Sequence, residues 1–133
     1  MKNKFQLIFL ILLLVTLSGC DVNSPFSLIF NSPKCRITDY SMDFKKSGFT
    51  KMQITVVNDG DGPTAYNIGC SIRLKYGDYI VDESSAYFGY LNENESKTEE
   101  AIFTKIKDSY EYSYMEINLY WYDADSNYYQ ENQ

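Results

Sequence analysis

Three cysteines, no histidine and 18 carboxylates are what this chain of 133 residues offers for chemistry. Without an imidazole there is no Ser–His or Cys–His nucleophile pair. Zinc, which is held by tetrahedral sets of Cys and His, finds too few ligands. Paired carboxylates can do acid–base work, but no acidic pair here is set apart by its spacing, and Glu99-Glu100 reads as a solvated strand entry. Asp59-x-Asp61 and Asp123-x-Asp125-x-Asn127 open like calcium loops. The EF-hand pattern then requires Gly at its sixth position and Glu at its twelfth. Tyr128 occupies that sixth position in the second stretch, and Pro63 stands where a ligand is needed in the first. Both stretches read instead as β-turns, which Asp and Gly form readily. The expectation is a protein that is not an enzyme, with no catalytic residue, no metal and no cofactor.

The cysteines carry more information. Leu17-Ser18-Gly19-Cys20 resembles the lipobox of bacterial lipoprotein signal peptides, an aliphatic residue and two small ones before a cysteine. Lys2 and Lys4 supply a basic start, and the apolar run from Leu7 to Leu17 is interrupted by Thr16 alone. That run is about half of the roughly 20 residues a membrane-spanning helix needs, and short apolar cores behind basic starts mark export signals. The resemblance implies a diacylglyceryl thioether on Cys20 and cleavage after Gly19. Two acyl chains anchor stably where one holds weakly. Residues 1–19 are thus expected to be a lipoprotein signal peptide, and residues 20–33 a lipidated tether. Two Asn-Ser-Pro turns punctuate that tether, and Phe26-Ser27-Leu28-Ile29-Phe30 interrupts it, either as an extra edge strand or as a patch dipping into the headgroups.

Cys35 and Cys70 remain, an even pair in an oxidising compartment. A disulfide between them is expected; the alternative is two buried thiols, since free cysteine packs as a small hydrophobe. From Cys20 onward the chain keeps 10 basic against 18 acidic residues, a net charge of −8. That balance argues against nucleic acid, whose phosphates demand Lys and Arg. It also argues against an electrostatic grip on anionic lipid, leaving the acyl group on Cys20 as the hold on the membrane.

The elements that position these residues are strands. Period-two alternation runs through Cys35-Ile37-Asp39 and on to Met42 and Phe44, then Met52-Ile54-Val56 and Ile68-Cys70-Ile72-Leu74. It continues through Tyr79-Val81, Ala86 to Leu91, Ala101-Phe103 toward Lys105, and Met115-Ile117-Leu119-Trp121, with a short last strand from Tyr128. Ser47-Gly48, the Asn58–Pro63 cluster, Gly77-Asp78, Asn92–Ser96, Lys107–Ser109 and Asp123–Asn127 supply the turns. No helical period is sustained. About seven short strands in residues 34–133 predict an all-β fold, an antiparallel β-sandwich, which the resemblance given next makes immunoglobulin-like.

Val56-Val57-Asn58-Asp59-Gly60 followed by Ala65-Tyr66-Asn67-Ile68 resembles a passage of bacterial CARDB-type immunoglobulin-like domains. Leu119-Tyr120-Trp121-Tyr122-Asp123-Ala124-Asp125 is similar to the strand and turn of FxLYD-type lipoprotein domains. Both resemblances imply an extracytoplasmic interaction module without a catalytic site. With 13 tyrosines in the chain, alternation along the strand from Tyr112 to Tyr122 places Tyr112, Tyr114, Tyr120 and Tyr122 on the face opposite the core. Strand propensity explains such tyrosines, and so does a binding surface. The function expected is a membrane-anchored, non-catalytic binding or structural module of the cell envelope. It would face the periplasm or the exterior, with an envelope protein or a glycan as candidate partner on the aromatic face. The rival expectations are an envelope inhibitor or chaperone of another protein, and a hydrolase with an unrecognised site.

Overall fold

Alternating apolar residues become seven strands in the computed structural model, which describes residues 32–133. They are β1 (Cys35–Asp43), β2 (Thr50–Asn58), β3 (Ala65–Tyr76), β4 (Tyr79–Leu91), β5 (Ser96–Phe103), β6 (Tyr114–Tyr122) and β7 (Tyr128–Asn132). All pairings are antiparallel. One sheet has the order β1-β2-β5 and the other β4-β3-β6-β7. The chain crosses between sheets after β2, after β4 and after β5, which makes the antiparallel β-sandwich that the alternation predicts. The expected signal peptide, the expected lipidation site Cys20 and the expected tether as far as residue 31 lie outside the described residues.

Strands β2 to β6 each bury one face. Met52, Ile54 and Val56 of β2 lie against Ile68, Ile72 and Leu74 of β3 and Ile117, Leu119 and Trp121 of β6, and all nine are buried. Phe88 and Phe103 close the core from β4 and β5. Burying a side chain of this size contributes about 1.5–3 kcal/mol. Bulges interrupt the alternation: one between Tyr66 and Gly69 in β3, and one between Ile37 and Asp39 that shifts the register of β1, so Asp39 turns out to solvent and Met42 turns in opposite Met52. Lys105 lies beyond the end of β5, where Asp82 accepts hydrogen bonds from the Lys105 and Ile106 amides at 2.7 and 3.3 Å.

The residues of the Val-x-Asn-x-Gly passage tie one end of the sandwich together. Asn58 is buried; its Oδ1 accepts from the Lys34 and Gly60 amides, and its Nδ2 donates to the Pro63 and Leu91 carbonyls at 3.1 Å each. Gly60 leaves no room for a side chain, because a Cβ there would stand 2.6 Å from Lys34 N and 2.7 Å from Ser32 O. Trp121 Nε1 donates to Pro33 O at 2.9 Å. The chain therefore enters at the end that carries the β2–β3, β4–β5 and β6–β7 turns. Asp59, Asp61, Glu93, Glu95, Asp123 and Asp125 lie in those turns, and none of the turns holds a Lys or Arg.

Cys35 and Cys70 both point inward, as expected, but as free buried thiols and not as a bridge. Cys35 opens the edge strand of one sheet; Cys70 sits in the middle of a central strand of the other, beside Ala86 and Leu119. Burial, aided by the Asp59 charge, pushes the Cys35 thiol up to about 12. Burial also pushes Cys70 up to about 11, against a lowering hydrogen bond from the Ala86 backbone.

Candidate binding face

Residues paired across antiparallel strands share a face, so the register fixes what the outer surface of the four-stranded sheet presents. Toward the entry end, Tyr66 of β3 pairs with Tyr122 of β6, which pairs with Tyr128 of β7. The next row is Tyr87 of β4, Gly69 of β3, Tyr120 of β6 and Gln130 of β7. Five tyrosines from all four strands thus meet on one surface. Tyr120 and Tyr128 stack with ring centroids 6.5 Å apart, and Tyr122 meets Tyr128 edge-on at 5.4 Å. Tyr87 donates its hydroxyl hydrogen to Asn67 Oδ1 at 3.2 Å. The rings keep open area, with Tyr87 60 % and Tyr128 51 % exposed. Gly69 makes the arrangement fit, because the Tyr120 ring lies over the space a Cβ would take, 2.7 Å from its Cζ.

Two depressions adjoin this cluster, each of about 410 Å³. One lies among Tyr66, Asn67, Tyr122, Asp123, Ala124 and Ser126. Burial works against the charge of Asp123, but donors from Asn127, Tyr129 and the Asp125 amide outweigh it and hold the carboxyl below its usual range. That carboxylate is taken up in holding its own turn. The other depression lies further along the sheet, among Ser71, Arg73, Glu116, Asn118, Asn132 and Gln133. Its floor holds Asn118, whose Oδ1 is buried and has no hydrogen-bond partner among the described residues. Beyond it, Lys75 pairs with Glu116 at 2.7 Å and lies 5.4 Å from the Tyr114 ring centroid.

Of the four tyrosines expected on this face, Tyr120 and Tyr122 belong to the cluster. Tyr114 shares the face but lies six residues away along β6, about 20 Å. Tyr112 does not belong to it: it ends the 3₁₀ turn Ser109–Glu111 ahead of β6, packs against the core, and donates to Met42 Sδ at 3.5 Å. Alternation cannot run through a segment that is not yet strand. Tyr66, Tyr87, Tyr128 and Asn118 went unread as a group, because they meet only through the register of four strands. A separate set of exposed aromatics, Phe49, Tyr76, Tyr79 and Tyr110, occupies the turns and strand ends at the far end.

Among the described residues, no group of three or more His, Cys, Asp or Glu side chains is placed to hold a metal ion. No helix among them is long and apolar enough to cross a membrane. No family model matches the sequence, and no curated protein matches it.

Proposed function

We propose that this chain is a membrane-anchored lipoprotein of the bacterial cell envelope whose sandwich is a non-catalytic binding module, and that its binding surface is the outer face of the four-stranded sheet. The observation that carries the reading is the meeting of five tyrosines from four strands on that face. Tyrosine offers a large apolar area with a polar tip and is enriched where proteins meet partners. Strand propensity alone distributes tyrosines over both sheets and does not gather them. The lipobox at Leu17–Cys20 supports the anchor, and the resemblance to CARDB-type and FxLYD-type domains supports an extracytoplasmic interaction module. The acidic turns at the entry end favour a domain that stands off an anionic membrane surface, which attracts basic segments instead.

The test is retention of the purified full-length protein, in mild detergent, on fragments of the host envelope. Tyr120→Ser and Tyr122→Ser should each lower retention at least tenfold with the fold kept by circular dichroism. Gln53→Ser, on the outer face of the three-stranded sheet, should leave retention unchanged. Equal retention of all variants, or equal loss in the Gln53→Ser control, overturns the assignment.

A further inference from the structure

The surface beside the tyrosines is polar, with its charges balanced. Ser71, Asn118 and Asn132 form one row across the sheet, with Ser85 at its β4 end. In the next row Arg73 stands between Glu83 and Glu116, and Lys75 pairs with Glu116, so two cations face two anions. A surface balanced in this way does not select a charged partner. It offers amides and hydroxyls, and one of these is unmet. Asn118 Oδ1 is buried without a partner, and its side chain makes no hydrogen bond to any described residue. Unpaired buried acceptors are rare in native proteins and call for an explanation. The Asn χ2 torsion is soft, so the amide can turn toward a donor seated in the depression.

From these features we infer that the ligand of this face is a neutral glycan chain, its sugar rings lying on the tyrosines and its hydroxyls filling the depression over Asn118. The inference rests on the outer face being the binding surface. A sugar ring has an apolar C–H face and a hydroxyl rim, which match an aromatic platform followed by amides. Tyr122 and Asn118 are four residues apart on β6, about 13 Å, more than one sugar ring covers, so the ligand is a chain. An extended peptide would bind by strand pairing at an exposed edge, here β4 or β7, whereas these rows run across the open face.

The experiment uses full-length protein in mild detergent on two preparations of host envelope fragments, one untreated and one stripped of protein by protease. The inference predicts equal retention on both, and release by soluble oligosaccharides cut from the same fragments. Asn118→Ala removes no hydrogen bond and should keep the melting temperature, yet lower retention about tenfold. Tyr122→Phe keeps the ring and should be retained as the native protein is. Loss of retention after protease treatment overturns the glycan and leaves the face as a protein-binding surface. Undiminished retention of Asn118→Ala overturns it as well. Absence of retention on both preparations removes the binding-face reading itself.

Discussion

Gly69→Ala tests whether the tyrosine arrangement is built by the backbone beneath it. The added Cβ would stand 2.7 Å from Tyr120 Cζ and 3.2 Å from its Cε2, with the hydroxyl nearer still. Carbon atoms pack at about 3.5–4.0 Å, so the ring must move by about 1 Å and its stack on Tyr128 must open. Gly69 has no positive φ that would resist a side chain. The substitution therefore gains about 0.4–1 kcal/mol by restricting the unfolded chain, against about 1–3 kcal/mol for overpacking. Tyr120 is half-buried and can swing outward, which places the overpacking at the low end. The net loss is about 1 kcal/mol or less, a fall in Tm of up to about 8 °C. Thermal melts read this directly, and Gly69→Ala/Tyr120→Phe should recover part of the loss by removing the nearest atom. Retention on envelope fragments should fall about tenfold in Gly69→Ala, beyond what so small a destabilisation explains. Native retention in Gly69→Ala, or no recovery by Tyr120→Phe, refutes the reasoning.

Asn58→Ala strips four hydrogen bonds and leaves the Pro63 and Leu91 carbonyls without their side-chain donor; urea unfolding should show a loss of about 3–4 kcal/mol. Cys35 and Cys70 should resist alkylation at pH 8 and react only in denaturant, as buried thiols held at about 12 and about 11; recovery of a disulfide or rapid native labelling contradicts this. Because both folded values are raised, the stability these thiols contribute is complete below the ordinary value of 9.0 and is lost as the pH climbs toward about 12, so alkaline melts should show Tm falling across that window. Cys20→Ser should abolish incorporation of a clickable fatty acid, and equal labelling of both proteins would contradict the lipid anchor.

Alternation is enough to reveal the sandwich because strands β2 to β6 bury one face each. Met52-Ile54-Val56 and Met115-Ile117-Leu119-Trp121 name their own core residues. The breaks in legibility are physical. A bulge after Ile37 reverses the phase of β1 without any glycine to announce it. Tyr112 lies two residues short of β6, at the end of a 3₁₀ turn, where strand alternation no longer sets its direction. The even count of Cys35 and Cys70 suggested a bridge, but pairing depends on which strands oppose each other across the core, and counting carries no such information. The candidate face shows the same limit. Its β6 members, Tyr120 and Tyr122, could be read from one strand. Tyr66, Tyr87 and Tyr128 join them only through the pairing of β4, β3 and β7 with β6, and Asn118 looked like any other outward polar residue.

Tyrosine nitration of the full-length protein, with and without envelope fragments and read peptide by peptide in a mass spectrometer, tests the binding face most directly. Tyr76, Tyr79 and Tyr110 at the far end, with Tyr79 80 % and Tyr110 74 % exposed, serve as internal controls. The account predicts that bound fragments protect Tyr87, Tyr122 and Tyr128 while the three far-end tyrosines react as before. Protection of the far end with the sheet face still reactive, or no protection anywhere, would contradict it.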